Sequence, residues 1–333
     1  MIFGPVPLAE ATGAILAHSV SVTDGRLRKG IVLTEAHVAT LQEAGVAEVI
    51  VARPEAGDLH EDIAAMQLAE AACGTARGIT LSRAFTGRVN LLAAGPGVVR
   101  LDPARINAAN AVHPMITIAT VPEYQQMRDG GMIATVKIIS YAVPETAVRA
   151  AAQAVQGAVS FARPVLRDAT LIITQTPGGP GEKGSEAIAA RLEALGMTLR
   201  TQITVPHEID PIARALATAQ GDMILVLTAS ATSDPNDTAP AALRAAGGRV
   251  ERFGMPVDPG NLLFLGELGG RPVIGLPGCA RAPSLNGADR VLSRVACGIA
   301  VTAGDIAGMG VGGLLKEIPT RPMPRRGRKD TAG

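Results

Sequence analysis

Along the second half of the chain, short unbroken apolar runs are each followed by a stretch with helical spacing. Thr170 to Thr174 is followed by Ser185 to Leu195, which Gly196 ends. Leu199 to Val205 leads to Asp210 to Ala219, and Asp222 to Thr228 to the stretch Thr238 to Ala246, closed by Gly247-Gly248. Val250 to Gly254, Leu262 to Leu265 and Val273 to Leu276 then precede a last helical stretch, Asn286 to Ala296. Strands that alternate with helices of this length predict βαβ units and a mostly parallel sheet. Apolar runs without a polar alternation predict strands covered on both faces.

The first half is less regular. Leu8 to Leu16 and His37 to Ala44 have helical spacing, Val46 to Val51 reads as a strand, and Asp58 to Ala72 as a helix. From residue 76 the runs are broken by Gly, Pro and Asn, until Gly131 to Val143 reads as one long β-branched strand. Pro144 to Ser160 is alanine-rich and helical and is expected to connect the halves. The divisions expected are an N-terminal α/β region (1–75), a β-rich irregular region (76–143), a helical connector (144–164), an α/β/α domain (165–316) and a tail (317–333).

Length and composition fit this picture. A chain of 333 residues is expected to hold two or three domains, and 47% hydrophobic content suffices for large cores. Aromatic residues make up 2%, too few for base-stacking platforms, and the net charge of +1 gives no electrostatic footprint for nucleic acid. The exception is the Pro-rich basic stretch Arg321 to Lys329, expected to be disordered. Cys73, Cys279 and Cys297 lack CxxC spacing, which argues against structural zinc and a disulfide framework. The sequence shows neither a signal-like N-terminus nor a membrane-length apolar run, so a cytoplasmic protein is expected.

In an open α/β sheet, ligands sit beyond the carboxyl ends of the strands. Three loops meet that condition. The first, Thr174 to Ser185, is rich in glycine (Gly178 and Gly179 among them) and opens a helix. It is either an anion cradle at the helix N-terminus or a mobile turn that Ser185 caps. The second, Thr228 to Thr238, carries the hydroxyls of Thr228, Ser230 and Thr232 and the carboxylates of Asp234 and Asp237. Those carboxylates are candidates for Mg²⁺ binding or for orienting a nucleophile, and Asp237 equally for capping a helix. The third, Pro277-Gly278-Cys279-Ala280-Arg281, ends a strand and offers a guanidinium to a phosphate. His18, His37, His60, His113 and His207 are scattered without metal-ligand spacing.

These motifs, in order, carry a resemblance. They are a D-x-I-L-V-L-T strand, a hydroxyl-rich loop with an N-D-T-A-P step, the segment G-M-P-V-D-P-G and the segment V-I-G-L-P-G. Together they resemble the molybdopterin-binding domain of molybdenum-cofactor biosynthesis proteins (MoeA/MogA-like), shared by molybdopterin adenylyltransferase and the molybdenum insertase. Val6 to Gly13 is similar to the insertase's opening helix. The whole is similar to the variant found beside a nucleotidyltransferase-like domain, without that domain in this sequence. The resemblance implies a three-layer α/β/α fold that holds a pterin phosphate or nucleotide at the strand ends, preceded here by an α+β region.

Carried over residue by residue, the resemblance matches a T-G-G-T loop to Thr228 to Thr232, with Ala229 and Ser230 in place of both glycines. It places Asp237 at the acidic D-x-T-P step. His207 stands where a P-D-E step has its aspartate, Asp258-Pro259-Gly260 where K-P-G has its lysine, and Cys279 where L-P-G-N-P has its asparagine. The implied site is Thr228, Ser230, Thr232, Asp234, Asp237, Gly260, Pro277, Gly278, Cys279 and Arg281, with Asp237 as ligand for a possible Mg²⁺ and Cys279 able to touch pterin or metal. The function implied is binding of molybdopterin or molybdenum cofactor in its biosynthesis or delivery. Two alternatives stay open: a nucleotidyl or molybdenum transferase with a rearranged site, in which Asp237 and Asp234 are catalytic, or an adaptor that docks a molybdoenzyme or a nucleotidyltransferase. A homodimer is expected, as among insertase-like relatives.

Overall fold

The computed structural model describes residues 1–315, so the basic tail assigned to 317–333 lies outside the described residues. The chain divides into two units between Arg163 and Pro164.

The first unit opens with a three-stranded antiparallel sheet in the order Ile2–Pro7, Glu48–Arg53, Ile15–Leu16. Leu16, Leu33, Leu41 and Val51 fill its small core. The helix Glu35–Glu43 starts at Thr34, whose hydroxyl accepts from the amide of His37. The helix expected over Leu8 to Leu16 is not formed. A single turn of 3₁₀ helix, Leu8–Glu10, gives way to Gly13 at φ +81° and then to the strand Ile15–Leu16. Further on, a four-stranded and a three-stranded sheet pack with the helices Glu61–Cys73, Pro103–Val112 and Glu145–Val155 around Leu68, Leu91, Ile133 and Ile138. The long strand expected from Gly131 to Val143 is two, Met132–Ile138 and Ala142–Pro144. The alanine-rich stretch forms the helix Glu145–Val155, whose Val148, Ala151 and Val155 are buried in this core.

The second unit contains the regular pattern. Its strands are β1 (Asp168–Gln175), β2 (Thr198–Pro206), β3 (Met223–Leu227), β4 (Arg249–Phe253), β5 (Phe264–Leu268) and β6 (Arg271–Leu276). They form one sheet in the order β2-β1-β3-β6-β5-β4. The neighbours β2-β1, β1-β3 and β3-β6 are parallel, and β5 runs antiparallel to both β6 and β4. The helices are α1 (Ser185–Glu193), α2 (Ile209–Thr218), α3 (Thr238–Ala245) and α4 (Gly287–Ala296).

Every residue of β3 is buried, because helices cover both faces of the sheet. Leu171, Ile173, Leu225 and Ile274 pack on one face with Ile188 and Leu192 of α1 and Val291 and Leu292 of α4. Ile172, Ile224, Val226 and Val273 pack on the other with Ile212 and Leu216 of α2 and Leu243 of α3. The result is the three-layer α/β/α fold with a mostly parallel sheet. Gly275 is required within it. It lies opposite Phe264 in the ladder, and a Cβ there would sit 1.9 Å from Phe264 Cε1.

The adjacent strands β1 and β3 send their helices to opposite faces, α1 to one and α3 to the other. Such a divergence opens a crevice at the carboxyl edge, where open α/β sheets take ligands. Among the described residues no helix is long and apolar enough to cross a membrane.

Candidate functional site

Two loops leave the sheet at this crevice, 176–184 after β1 and 228–237 after β3. Thr174, the last buried residue of β1, ties the edge together. Its hydroxyl accepts from the amide of Ala229 at 2.7 Å and lies 2.9 Å from His207 Nδ1. A hydroxyl has one proton and two acceptor positions, so it serves both partners at once. His207 follows the end of β2, and the three carboxyl-terminal strand ends are thereby linked by side chains.

Within the second loop, Asp237 is the N-cap of α3. One oxygen accepts from the amide of Ser233 at 2.9 Å and the other from the amide of Thr238 at 2.7 Å. The Ser233 bond is the main reason its carboxyl is held below the ordinary carboxylate range; burial works against it, and the charge of His207 helps slightly. Asp234 is exposed, and its Oδ1 accepts from the amide of Asn236 at 2.7 Å. Both carboxylates thus order their own loop. Among the described residues no group of three or more His, Cys, Asp or Glu side chains is placed to hold a metal ion.

Arg281 joins the two loops. Its Nη2 donates to Thr228 O at 2.9 Å, and its Nη1 donates to Gly181 O at 3.3 Å and to Lys183 O. These contacts engage three of the five N–H groups of a guanidinium, and all three acceptors are backbone carbonyls. Burial pushes the Arg281 pKa down, since a cation prefers water to a half-buried position. Its stem rests on Gly184, where φ is +97° and a Cβ would come within 2.6 Å of Arg281 Cα. Gly184 therefore occupies the cap position of α1, and Ser185, expected to cap it, is the first helical residue.

The family follows from a match over this unit. Residues 168–292 match the model described as a probable molybdopterin binding domain. The resemblance to the molybdopterin-binding domain family is borne out over this part of the chain. Residues 5–53 match a second model, described as a domain of unknown function, DUF8806. No match was found among curated proteins. Among solved structures, the chain is similar to the molybdopterin biosynthesis MoeA protein of Pyrococcus horikoshii, with 13% identity, 83% of this chain and 70% of that chain covered, and a TM-score of 0.26. It is similar to the molybdopterin biosynthesis enzyme MoaB of Thermus thermophilus, with 19% identity, 39% and 89% covered, and a TM-score of 0.28. It is also similar to the protein CinA, of unknown function, from Thermoplasma acidophilum, with 16% identity, 34% and 89% covered, and a TM-score of 0.28.

Within this molybdopterin-binding domain, the candidate residues fall into two groups. Arg281 meets the carbonyl of Thr228 and those of the glycine loop at the β1/β3 crevice, while Asp237 caps α3 at the end of the second loop. Ser230 is exposed on the same loop, while Thr232 is buried there. Gly178 and Gly179 are exposed toward the tip of the first loop, with Gly179 folded back so that its amide donates to Thr176 O at 2.9 Å. The second group surrounds the start of α4. Gly260 packs on Gly287, where a Cβ would meet the Gly287 amide nitrogen at 2.5 Å. Pro277 is buried, Gly278 exposed, and Cys279 half-buried in a turn of 3₁₀ helix, Gly278–Arg281. Burial pushes the Cys279 thiol up, away from the thiolate that a soft metal would need.

Sequence reasoning missed Thr174 as a link and missed Arg191 altogether. Arg191 lies on α1 and its side chain is only 10% exposed. Its Nε pairs with Asp289 Oδ1 at 2.7 Å, and its Nη groups donate to the carbonyls of Ala187, Ala280, Ala282 and Ser284 at 2.8–3.0 Å. Asp289 also caps α4, accepting from the amide of Asn286, whose own side chain accepts from Ala288. No motif marks Arg191, because its partners other than Ala187 lie 89 to 98 residues further along.

Proposed function

We infer that this chain binds a phosphorylated pterin of the molybdopterin class at the β1/β3 crevice and serves molybdenum-cofactor biosynthesis or delivery by holding that ligand. The observation that carries this reading is Arg281, a half-buried cation bonded only to carbonyls, bridging both loops that open helices at the crevice. The donor set fits a phosphate. Two guanidinium N–H groups have no partner among the described residues, and the hydroxyls of Thr228, Ser230 and Thr232 stand on the facing loop. Charge-assisted bonds of this kind are the strong ones.

A protein-held Mg²⁺ fits less well. Asp237 has both oxygens on backbone amides, and Asp234 has one. With His207 in place of a further carboxylate, these residues support holding a ligand over activating it for nucleotidyl transfer. In this reading Asp237 shapes the loop that receives the phosphate, and Cys279 is a packed thiol beside the site.

Isothermal titration of the full chain with molybdopterin under anaerobic conditions, with and without Mg²⁺, tests the proposal. Saturable one-to-one binding that persists without Mg²⁺ and weakens in Arg281→Met supports it. Absence of binding to the wild-type protein refutes it. Formation of an adenylylated or cytidylylated pterin, lost in Asp237→Ala, would favour the transferase instead.

A further inference from the structure

Arg191 and Arg281 lie on either side of one short segment and divide its backbone between them. Arg191 takes the carbonyls of Ala280, Ala282 and Ser284. Arg281 leaves the segment between the first two of these and reaches Gly181, Lys183 and Thr228. The two guanidinium groups differ in what remains. Arg191 has an acceptor for its Nε and two for each Nη, one being the carboxylate of Asp289. Among the described residues Arg281 has three acceptors, none a carboxylate, and two N–H groups left over.

We propose that Arg191 is the positioning residue for phosphate recognition: by fixing the carbonyls of residues 280, 282 and 284 it aims the two remaining N–H groups of Arg281 at the ligand's phosphate. This rests on the reading of the crevice as a phosphate site. Lysine cannot replace Arg191 in this role, because one ammonium has no planar fork to hold carbonyls on both of its arms. Asp289 serves a different end. Its contacts with Arg191 and the Asn286 amide hold α4 to α1, while the carbonyl contacts of Arg191 do not depend on its charge.

The experiment compares molybdopterin with its phosphatase-treated, dephosphorylated form on the full chain. Wild-type protein is expected to prefer the phosphorylated form. Arg191→Lys is expected to lower that preference by about tenfold or more, roughly one charge-assisted hydrogen bond, with little change toward the dephosphorylated form. Asp289→Asn is expected to melt earlier yet keep the preference. The double variant Arg191→Lys/Arg281→Met is expected to be no worse than Arg281→Met alone, because both act through one guanidinium. A preference unchanged in Arg191→Lys, or losses that add in the double variant, overturns the proposal while leaving the phosphate site standing. A wild-type protein that binds neither form refutes the site itself. Hydrogen exchange on the wild-type protein reads the same coupling without a variant. Molybdopterin should slow the amides of 280–284 together with those of 176–184, and protection of 176–184 alone speaks against it.

Discussion

Gly184→Ala tests the junction between the glycine loop and Arg281 directly. At φ +97° the backbone is in the left-handed region, where an alanine costs about 1–2 kcal/mol. The added methyl would also lie 2.6 Å from Arg281 Cα and 2.7 Å from its Cβ, so backbone on one side must move. Forcing a methyl into a filled space costs about 1–3 kcal/mol more. The total expected is about 2–5 kcal/mol. Gly178→Ala supplies the control. Its φ of +73° carries the same backbone cost, but nothing lies within 4 Å of the new methyl. It should cost only about 1–2 kcal/mol.

Urea unfolding of the full chain, followed by far-ultraviolet circular dichroism, measures both. Tyrosine emission does not serve: the sequence has no tryptophan, and both tyrosines, Tyr124 and Tyr141, lie in the first unit. The two variants should also part in binding, since only Gly184→Ala displaces the Arg281 stem and should weaken phosphate recognition. Equal costs in the two variants, or an unimpaired Gly184→Ala site, would refute the close packing of Arg281 on the loop.

Removing the cap in Asp237→Ala should cost about 0.5–2 kcal/mol at neutral pH, read as a lower urea midpoint. Because the folded carboxyl titrates below its unfolded value, its contribution is present above about pH 4 and is lost as the pH falls through the lower folded value. The gap between variant and wild type should therefore narrow in acid; a gap that widens there contradicts the amide bonds to Asp237. Cys279, with its thiol pushed up by burial, should alkylate with iodoacetamide at about pH 8 far more slowly in the folded chain than in urea, as mass spectrometry of the peptide would record. Gly275→Ala sets a methyl against the buried Phe264 ring and should abolish the cooperative transition of the second unit, while Gly275→Ala/Phe264→Leu should regain part of it.

The parallel sheet was legible because burial on both faces leaves a plain trace in the sequence. Thr170 to Thr174 and Asp222 to Thr228 are too short for helices and carry no polar alternation, and strands form over both. Short helical spacing misled where local chemistry intervened. Leu8 to Leu16 has the spacing, but Gly13 turns the chain left-handed and Ile15 and Leu16 join a sheet. Asp58 to Ala72 begins with a strand, Asp58–His60, because the His60 ring caps the helix that follows and stops it from extending back. The break in Gly131 to Val143 comes at Ser140 and Tyr141, whose side chains bond to Ala142 O and Ala17 O. At the site, loops and caps were readable from Gly, Asp and Asn. The arginine contacts were not, since an arginine on a helix reads as a solvated face until its distant carbonyl partners are placed.

Electrostatics then favours an anion at this edge. A half-buried guanidinium without a carboxylate is compensated only in part by carbonyl dipoles, and the deficit is what a bound phosphate relieves. A carboxylate in place of His207, at the end of the neighbouring strand, would add negative charge near the phosphate and compete with it. The acid that ends the facing loop, Asp237, directs both oxygens to backbone amides, which disperses its charge into the loop and the start of α3. Asp289, the carboxylate that pairs with Arg191, is held by that arginine and by the Asn286 amide at the start of α4. In the proposed reading, the arginine with all its donors engaged fixes the segment, and Arg281, which keeps N–H groups without a partner among the described residues, receives the phosphate at the strand-end crevice.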